Sequence, residues 1–124
     1  MKILQAFKKR YIGFRISVGG TTPQEDVAKK AIYQHFLSFF GELGIGAVGL
    51  KLVKYGNGEG ILRCQRSKLH EAIFCMACFA EYEGESARIE PTGVFGTLKG
   101  VERKMQKQKV ANETKNFHDV EQKK

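Results

Sequence analysis

The sequence predicts an α+β fold: a ferredoxin-like βαββαβ two-layer sandwich, with a four-stranded antiparallel sheet and two main helices on one face. Three observations predict it. Strict alternation of apolar and polar residues near the N-terminus gives way to helical spacing after Gly19-Gly20. An Asn57-Gly58 pair separates two short apolar runs, as a hairpin turn requires. A second helical pattern then leads into a last extended segment, and right-handed crossovers close the four strands into one sheet.

From Arg10 to Val18, Ile12, Phe14, Ile16 and Val18 share one parity, which marks a strand with one buried face. Thr22-Pro23-Gln24-Glu25 follows with a hydroxyl N-cap, a proline for the first helical position and a glutamate three residues after the cap. The first helix is expected to run to about Leu43 and stop at Gly44, with Ala28, Ile32, His35, Phe36, Phe39 and Leu43 as its core stripe. Tyr33, Leu37 and Phe40 form a second apolar ridge, covered either by this chain or by another protein. Strands are expected over 46–55 and 60–66. Ser67 caps a second helix from Lys68 to Tyr82, with Leu69, Ile73, Met76, Ala77 and Ala80 facing the core and Gly84 ending it. The last strand covers 87–98, and Pro91 makes it an edge or an irregular one.

The 124 residues fit one domain, 42% of them hydrophobic. Residues 1–9 read as a basic N-terminal arm, 10–99 as the sandwich, and 100–124 as a basic C-terminal helix or tail, partly disordered. The net charge of +8 is unevenly placed: +5 over residues 1–20, −1 over 21–98 and +4 over 99–124. A near-neutral body between basic flanks suits a polyanion, most simply nucleic acid. The three cysteines, an odd number, are expected to be free thiols in a reducing compartment, which makes the protein cytoplasmic. There is no apolar run long enough to span a bilayer and no secretory signal pattern.

Gly44-Ile45-Gly46-Ala47-Val48-Gly49 matches G-x-G-x-x-G but follows a helix and precedes a strand, the reverse of a dinucleotide site. Cys75 and Cys78 form a lone C-x-x-C in mid-helix, without the further ligands zinc needs and away from the helix N-terminus that stabilises a redox thiolate. His35, His70 and His118 do not cluster with nucleophiles, and His35 on the core stripe reads as a packed, hydrogen-bonded residue. No catalytic constellation and no bound cofactor or metal is expected. The basic residues are more informative. Lys8-Lys9-Arg10 opens the first strand, and Arg63, Arg66 and Lys68 lie in and after the third. Arg15 and Arg63 are expected side by side on the helix-free face, gripping phosphate. The third strand carries no aromatic residue, so base stacking of the usual kind is disfavoured against recognition of phosphate and RNA shape.

Lys8-Lys9-Arg10-Tyr11-Ile12-Gly13-Phe14, Gly60-Ile61-Leu62-Arg63-Cys64-Gln65-Arg66 and Gly93-Val94-Phe95-Gly96-Thr97-Leu98-Lys99, in that order around two helices, resemble the ribonuclease P protein component 2 family of archaea and eukaryotes. The chain departs from the family pattern at Gln5-Ala6-Phe7, where prolines are usual, and at Phe95, where a small residue is usual. The resemblance implies a non-catalytic subunit of a ribonucleoprotein whose RNA removes the 5′ leader of precursor tRNA in a Mg²⁺-dependent hydrolysis. It implies ribonuclease P RNA and the TIM-barrel-like component 3 as partners, precursor tRNA as substrate, and a homodimer inside a two-plus-two assembly. By position it makes Lys8, Lys9, Arg10, Arg63, Arg66, Thr97 and Lys99 RNA contacts; Arg15 and Lys68 join them from the charge reading, and Arg103 and Lys104 are further additions. Tyr33, Leu37 and Phe40 are the candidate protein-partner residues. Two alternatives stay open: an RNA-binding module of another ribonucleoprotein, and a small ligand-binding regulatory domain.

Overall fold

A computed structural model of the chain describes residues 8–100, 102 and 103. The arm from 1 to 7, Lys104 and the rest of the expected tail lie outside the described residues. The elements are β1 (Lys9–Val18), α1 (Glu25–Val48), β2 (Lys51–Gly56), β3 (Glu59–Gln65), a 3₁₀ turn (Arg66–Lys68), α2 (Leu69–Ala77), β4 (Glu81–Tyr82) and β5 (Glu85–Phe95). The sheet has five strands in the order β2-β3-β1-β5-β4, all pairings antiparallel. The expected βαββαβ order holds, with the short β4 added at the β5 edge.

The alternation seen in the sequence places the core. Ile12, Phe14 and Ile16 of β1, Leu62 and Cys64 of β3 and Ala87 and Ile89 of β5 point to the helices and meet Ala28, Ala31, Ile32 and Phe36 of α1 and Ala72, Cys75 and Met76 of α2. Asn57 (φ 53°) and Gly58 (φ 78°) turn β2 into β3 as the Asn-Gly pair predicts. Pro91 is tolerated because the β1–β5 register shifts there: Gly13 faces Gly93 while Phe14 faces Pro91, leaving Thr92 bulged. A second irregularity lies in the β2–β3 pairing between Leu52 and Lys54.

Both helices differ from expectation at their ends. α1 starts at Glu25 with Gln24 at the N-cap and no capping side chain, so Thr22-Pro23 precedes the helix and does not cap it. The helix continues to Val48, with a kink at Gly41 (φ 79°, ψ 170°), and ends on Gly49 in the left-handed region. Beyond the kink Leu43, expected in the core, is 95% exposed; before it Phe39, also expected there, is 41% exposed while Phe36 and Phe40 pack on the core. Residues 46–48, expected to open the second strand, belong to α1. α2 stops at Ala77, five residues before its expected end, where Cys78 N–H bonds back to both Phe74 and Cys75 carbonyls and the last turn tightens. Phe79 then turns into the core, Ala77 and Ala80 are exposed, and Glu83 (φ 50°) with Gly84 (φ 81°) forms a hairpin turn between β4 and β5. The last strand ends at Phe95, and residues 98–100, 102 and 103 are helical.

The face away from the main helices is partly covered. Glu102 forms an ion pair with Lys54 on β2, and a Cβ on Gly100 would stand 3.5 Å from the Phe95 ring. Ile61, which lies outside the main core cluster yet is 1% exposed, sits between Gly13 of β1 and Lys54 of β2 in that row.

Two glycines make opposite predictions. A Cβ at Gly60 would lie 2.6 Å from Phe14 Cζ and 2.8 Å from the Lys54 carbonyl oxygen, so Gly60→Ala lowers stability by about 2 kcal/mol. Helical Gly46 has nothing within 4 Å of its Cβ position, so Gly46→Ala raises stability by about 0.5–1 kcal/mol. Urea unfolding of the two variants checks both signs.

Candidate nucleic-acid interface

The basic residues at the entry to β1 meet those at the exit of β3 because the two strands run antiparallel as central neighbours. The Lys8 carbonyl accepts the Arg66 N–H at 2.9 Å, and Lys9 faces Gln65, Arg10 faces Cys64 and Tyr11 faces Arg63. On the far side of β3, Lys51 also faces Arg63. Lys8, Lys9, Arg10, Arg63, Arg66 and Lys68 therefore gather at one end of the sheet. Thr97 and Lys99 follow directly on Phe95, the β5 partner of Tyr11. Alternation puts Lys9, Tyr11, Lys51, Arg63 and Gln65 on the face away from the main helices. Tyr11, Lys51 and Gln65 were absent from the sequence-based set, and only the strand register could have found them.

Several of these side chains already have work in the fold. Arg10 Nη1 donates to the Lys9 carbonyl at 2.9 Å and is half-buried. Thr97 Oγ1 accepts the Gly100 N–H at 3.1 Å, an N-cap for the turn that follows. Lys68 is half-buried at the N-cap of α2, whereas Lys8, Arg66, Lys99 and Arg103 are exposed.

Arg15 does not belong to this cluster. It faces Glu59 on β3 and Glu90 on β5 and forms a 3.3 Å ion pair with Glu59. It lies four residues along β1 from Tyr11, about 13 Å from the Arg63 row. The parity was right and the register was not: the partner beside Arg63 is Tyr11. Arg15 sits instead at a mixed-charge cleft with Ser17, Thr22, Arg88 and Glu90.

The helix layer divides the second apolar ridge. Phe40 stacks on buried Phe36 at 5.9 Å and packs against the core, so this chain covers it. Tyr33 is 52% exposed and Leu37 is half-buried. Phe39 and Phe74, 5.9 Å apart, add an exposed aromatic pair across the two helices that the ridge did not include.

The G-x-G-x-x-G segment forms the last turns of α1, which presents a helix C-terminus where a pyrophosphate needs an N-terminus. No group of three or more His, Cys, Asp or Glu residues that could hold a metal is found among the described residues. His35 Nε2 lies 2.6 Å from the Cys75 carbonyl, and its ring meets Phe79 edge-on at 5.0 Å, so it ties α1 to α2 as expected of a packed histidine. Cys64 and Cys75 are buried and Cys78 is exposed. Burial pushes the Cys64 thiol up to about 11, slightly offset by the Lys9 ammonium; burial, then Cys78, pushes Cys75 up to about 12.

The family model for the Rpp14/Pop5 family matches residues 10–106, a span that contains both helices and all of the sheet but Lys9. The chain belongs to the Rpp14/Pop5 family. It is 34% identical over 99 residues to Ribonuclease P protein component 2 of Pyrococcus furiosus, covering 78% of this chain and 82% of the relative. It is 33% identical over 97 residues to the protein of that name from Archaeoglobus fulgidus, covering 78% and 87%. A chain in the cryo-EM structure of yeast ribonuclease MRP shares the fold, with a TM-score of 0.51 and 9% identity over 87% of this chain and 96% of that one. As a member of this family the chain is a non-catalytic protein subunit of the ribonuclease P class of ribonucleoproteins, in which catalysis belongs to the RNA.

Two outcomes test the packing just described. His35→Ala loses a hydrogen bond and an edge contact at the helix interface and costs about 2 kcal/mol in urea unfolding. Because the folded state holds the protons of Cys64 and Cys75 more tightly than the unfolded chain, their contribution is fully present below about pH 9 and is lost as pH rises toward 11–12. At pH 8 a thiol reagent modifies Cys78 rapidly and the other two only on unfolding.

Proposed function

We propose that the basic end of the sheet is the surface with which this subunit holds the RNA of its ribonucleoprotein. The observation that carries this is the convergence of Lys8, Lys9, Arg10, Arg63, Arg66 and Lys68 from two separate stretches of sequence, with Lys51 beside Arg63. Cations so placed neutralise phosphates on neighbouring strands and release their counterions. Bringing RNA strands together in this way lowers the Mg²⁺ that the RNA needs to cleave the 5′ leader from precursor tRNA. The chain supplies position and charge, and the RNA supplies the chemistry.

The second partner is component 3, and the helix layer is the surface that suits it. Tyr33 stays outward there beside half-buried Leu37 and the Phe39–Phe74 pair adds to them, whereas Phe40 is taken by this chain's own core. A pair of such heterodimers joined through two copies of this chain completes a two-plus-two assembly. The three free thiols suit the cytoplasm.

Cleavage of precursor tRNA by the cognate RNA at limiting Mg²⁺ tests this reading, with component 3 alone and with both proteins. Stimulation that needs both, together with a lower Mg²⁺ requirement, is the expected result; an unchanged Mg²⁺ dependence refutes it. Lys9→Ala and Arg66→Ala should each weaken RNA binding and reduce the salt slope by about 1. Arg15→Gln should leave both unchanged, because that guanidinium stands at the other end of β1 against Glu59.

A further inference from the structure

Among the described residues, two buried side-chain polar atoms lack a hydrogen-bond partner: Arg63 Nε, a donor, and Gln65 Oε1, an acceptor. They sit two residues apart on β3 and share its face away from the main helices, since Leu62 and Cys64 between and beside them enter the core. Buried polar groups are costly to leave unpaired, and a donor and an acceptor two residues apart on one strand face form a pattern that a ligand can complete once the flexible side chains covering them move aside. Their neighbours narrow the choice. Tyr11, half-buried, lies beside Arg63, with Lys51 on its other side, and Lys9 lies beside Gln65. Gly49 extends the Gln65 row; a Cβ there would stand 3.2 Å from Gln65 Cγ and 3.6 Å from Lys9 Nζ, so the bare glycine leaves room for both chains.

A phosphate alone would use the donors and leave Gln65 Oε1 unpaired. A nucleobase offers a flat face together with an acceptor and an N–H on one edge. We propose that this patch seats one unpaired nucleobase of the RNA. The base stacks on Tyr11, accepts from Arg63 Nε and donates to Gln65 Oε1, while its phosphate lies between Lys9 and Lys51. The ring comes from β1, which is why β3, lacking an aromatic residue, gave no sign of stacking. The partner ring on β5, Phe95, lies under the Gly100 turn. This site rests on the RNA reading above and adds to it a base contact where that reading needs only phosphates.

The test uses the full chain and fluorescence anisotropy with eight-nucleotide oligo(U), oligo(A) and a ribose-phosphate strand lacking bases, each titrated with salt. At least one base-bearing strand is expected to bind about tenfold or more tightly than the baseless strand. Tyr11→Ala, Gln65→Met and Arg63→Lys should each shrink that ratio about fivefold or more and leave the salt slope unchanged, because no charge is lost. Lys8→Ala should lower the slope and leave the ratio intact. Thermal melting confirms that the variants fold, and the two volume-conserving substitutions carry the test if Tyr11→Ala does not fold. Equal binding of all strands, or a ratio the three variants do not move, overturns the base site while salt-sensitive binding preserves the RNA reading. Binding to folded ribonuclease P RNA but to no short strand also overturns the base site alone. Binding to neither overturns both.

Discussion

Everything in the molecule depends on the register of β1 between β3 and β5. Side chains on a strand alternate, so a slip by one residue would carry Ile12, Phe14 and Ile16 out of the core and draw Lys9, Tyr11 and Arg15 into it. Local devices hold the register. The tight Asn57-Gly58 turn fixes β3 against β2, and Ile16 N–H reaches back to the Gly58 carbonyl at 2.8 Å. At the other end, Arg66 N–H closes on the Lys8 carbonyl. The same pairing that buries the core thus assembles the basic end, so one alternation sets both the packed face and the charged one.

How much of this was legible in the sequence depended on how local the deciding physics was. β1 and the β2–β3 hairpin could be read because alternation and an Asn-Gly turn are local signals. The full extent of α1 could not. Gly44 looks like a stop, yet the glycine that bends the helix is Gly41, and tertiary packing carries the helix on to Gly49. The β4–β5 hairpin was hidden because its turn is Glu83-Gly84, and glutamate rarely adopts a positive φ without support from the surrounding fold. The basic residues at the entry to β1 and the exit of β3 lie at one end of the sheet, whereas Arg15 stands at the other because parity gives the face and not the partner. Lys51, Tyr11 and Gln65 escaped notice for the same reason: they join the site only through cross-strand neighbours.

The layer opposite the main helices also explains why the candidate interface lies at an end of the sheet and not across its middle. The helical turns after Thr97 run from Phe95 towards Lys54, and Ile61 beneath that path is fully buried. The central row is occupied by the chain itself. Charge and unpaired polar atoms remain where this cover stops.

The two irregular pairings have a consequence for solubility. β2 bounds the sheet on one side, β5 on the other beyond its short pairing with β4, and an open strand edge is a template on which further chains can polymerise. Each of these strands is interrupted: the β2 pairing shifts between Leu52 and Lys54, and β5 carries Pro91 beside its bulge, flanked by exposed Arg88 and Glu90. A flat, uniformly hydrogen-bonding border is therefore missing from both sides. Self-templated growth of the sheet into fibrils is disfavoured by the backbone itself.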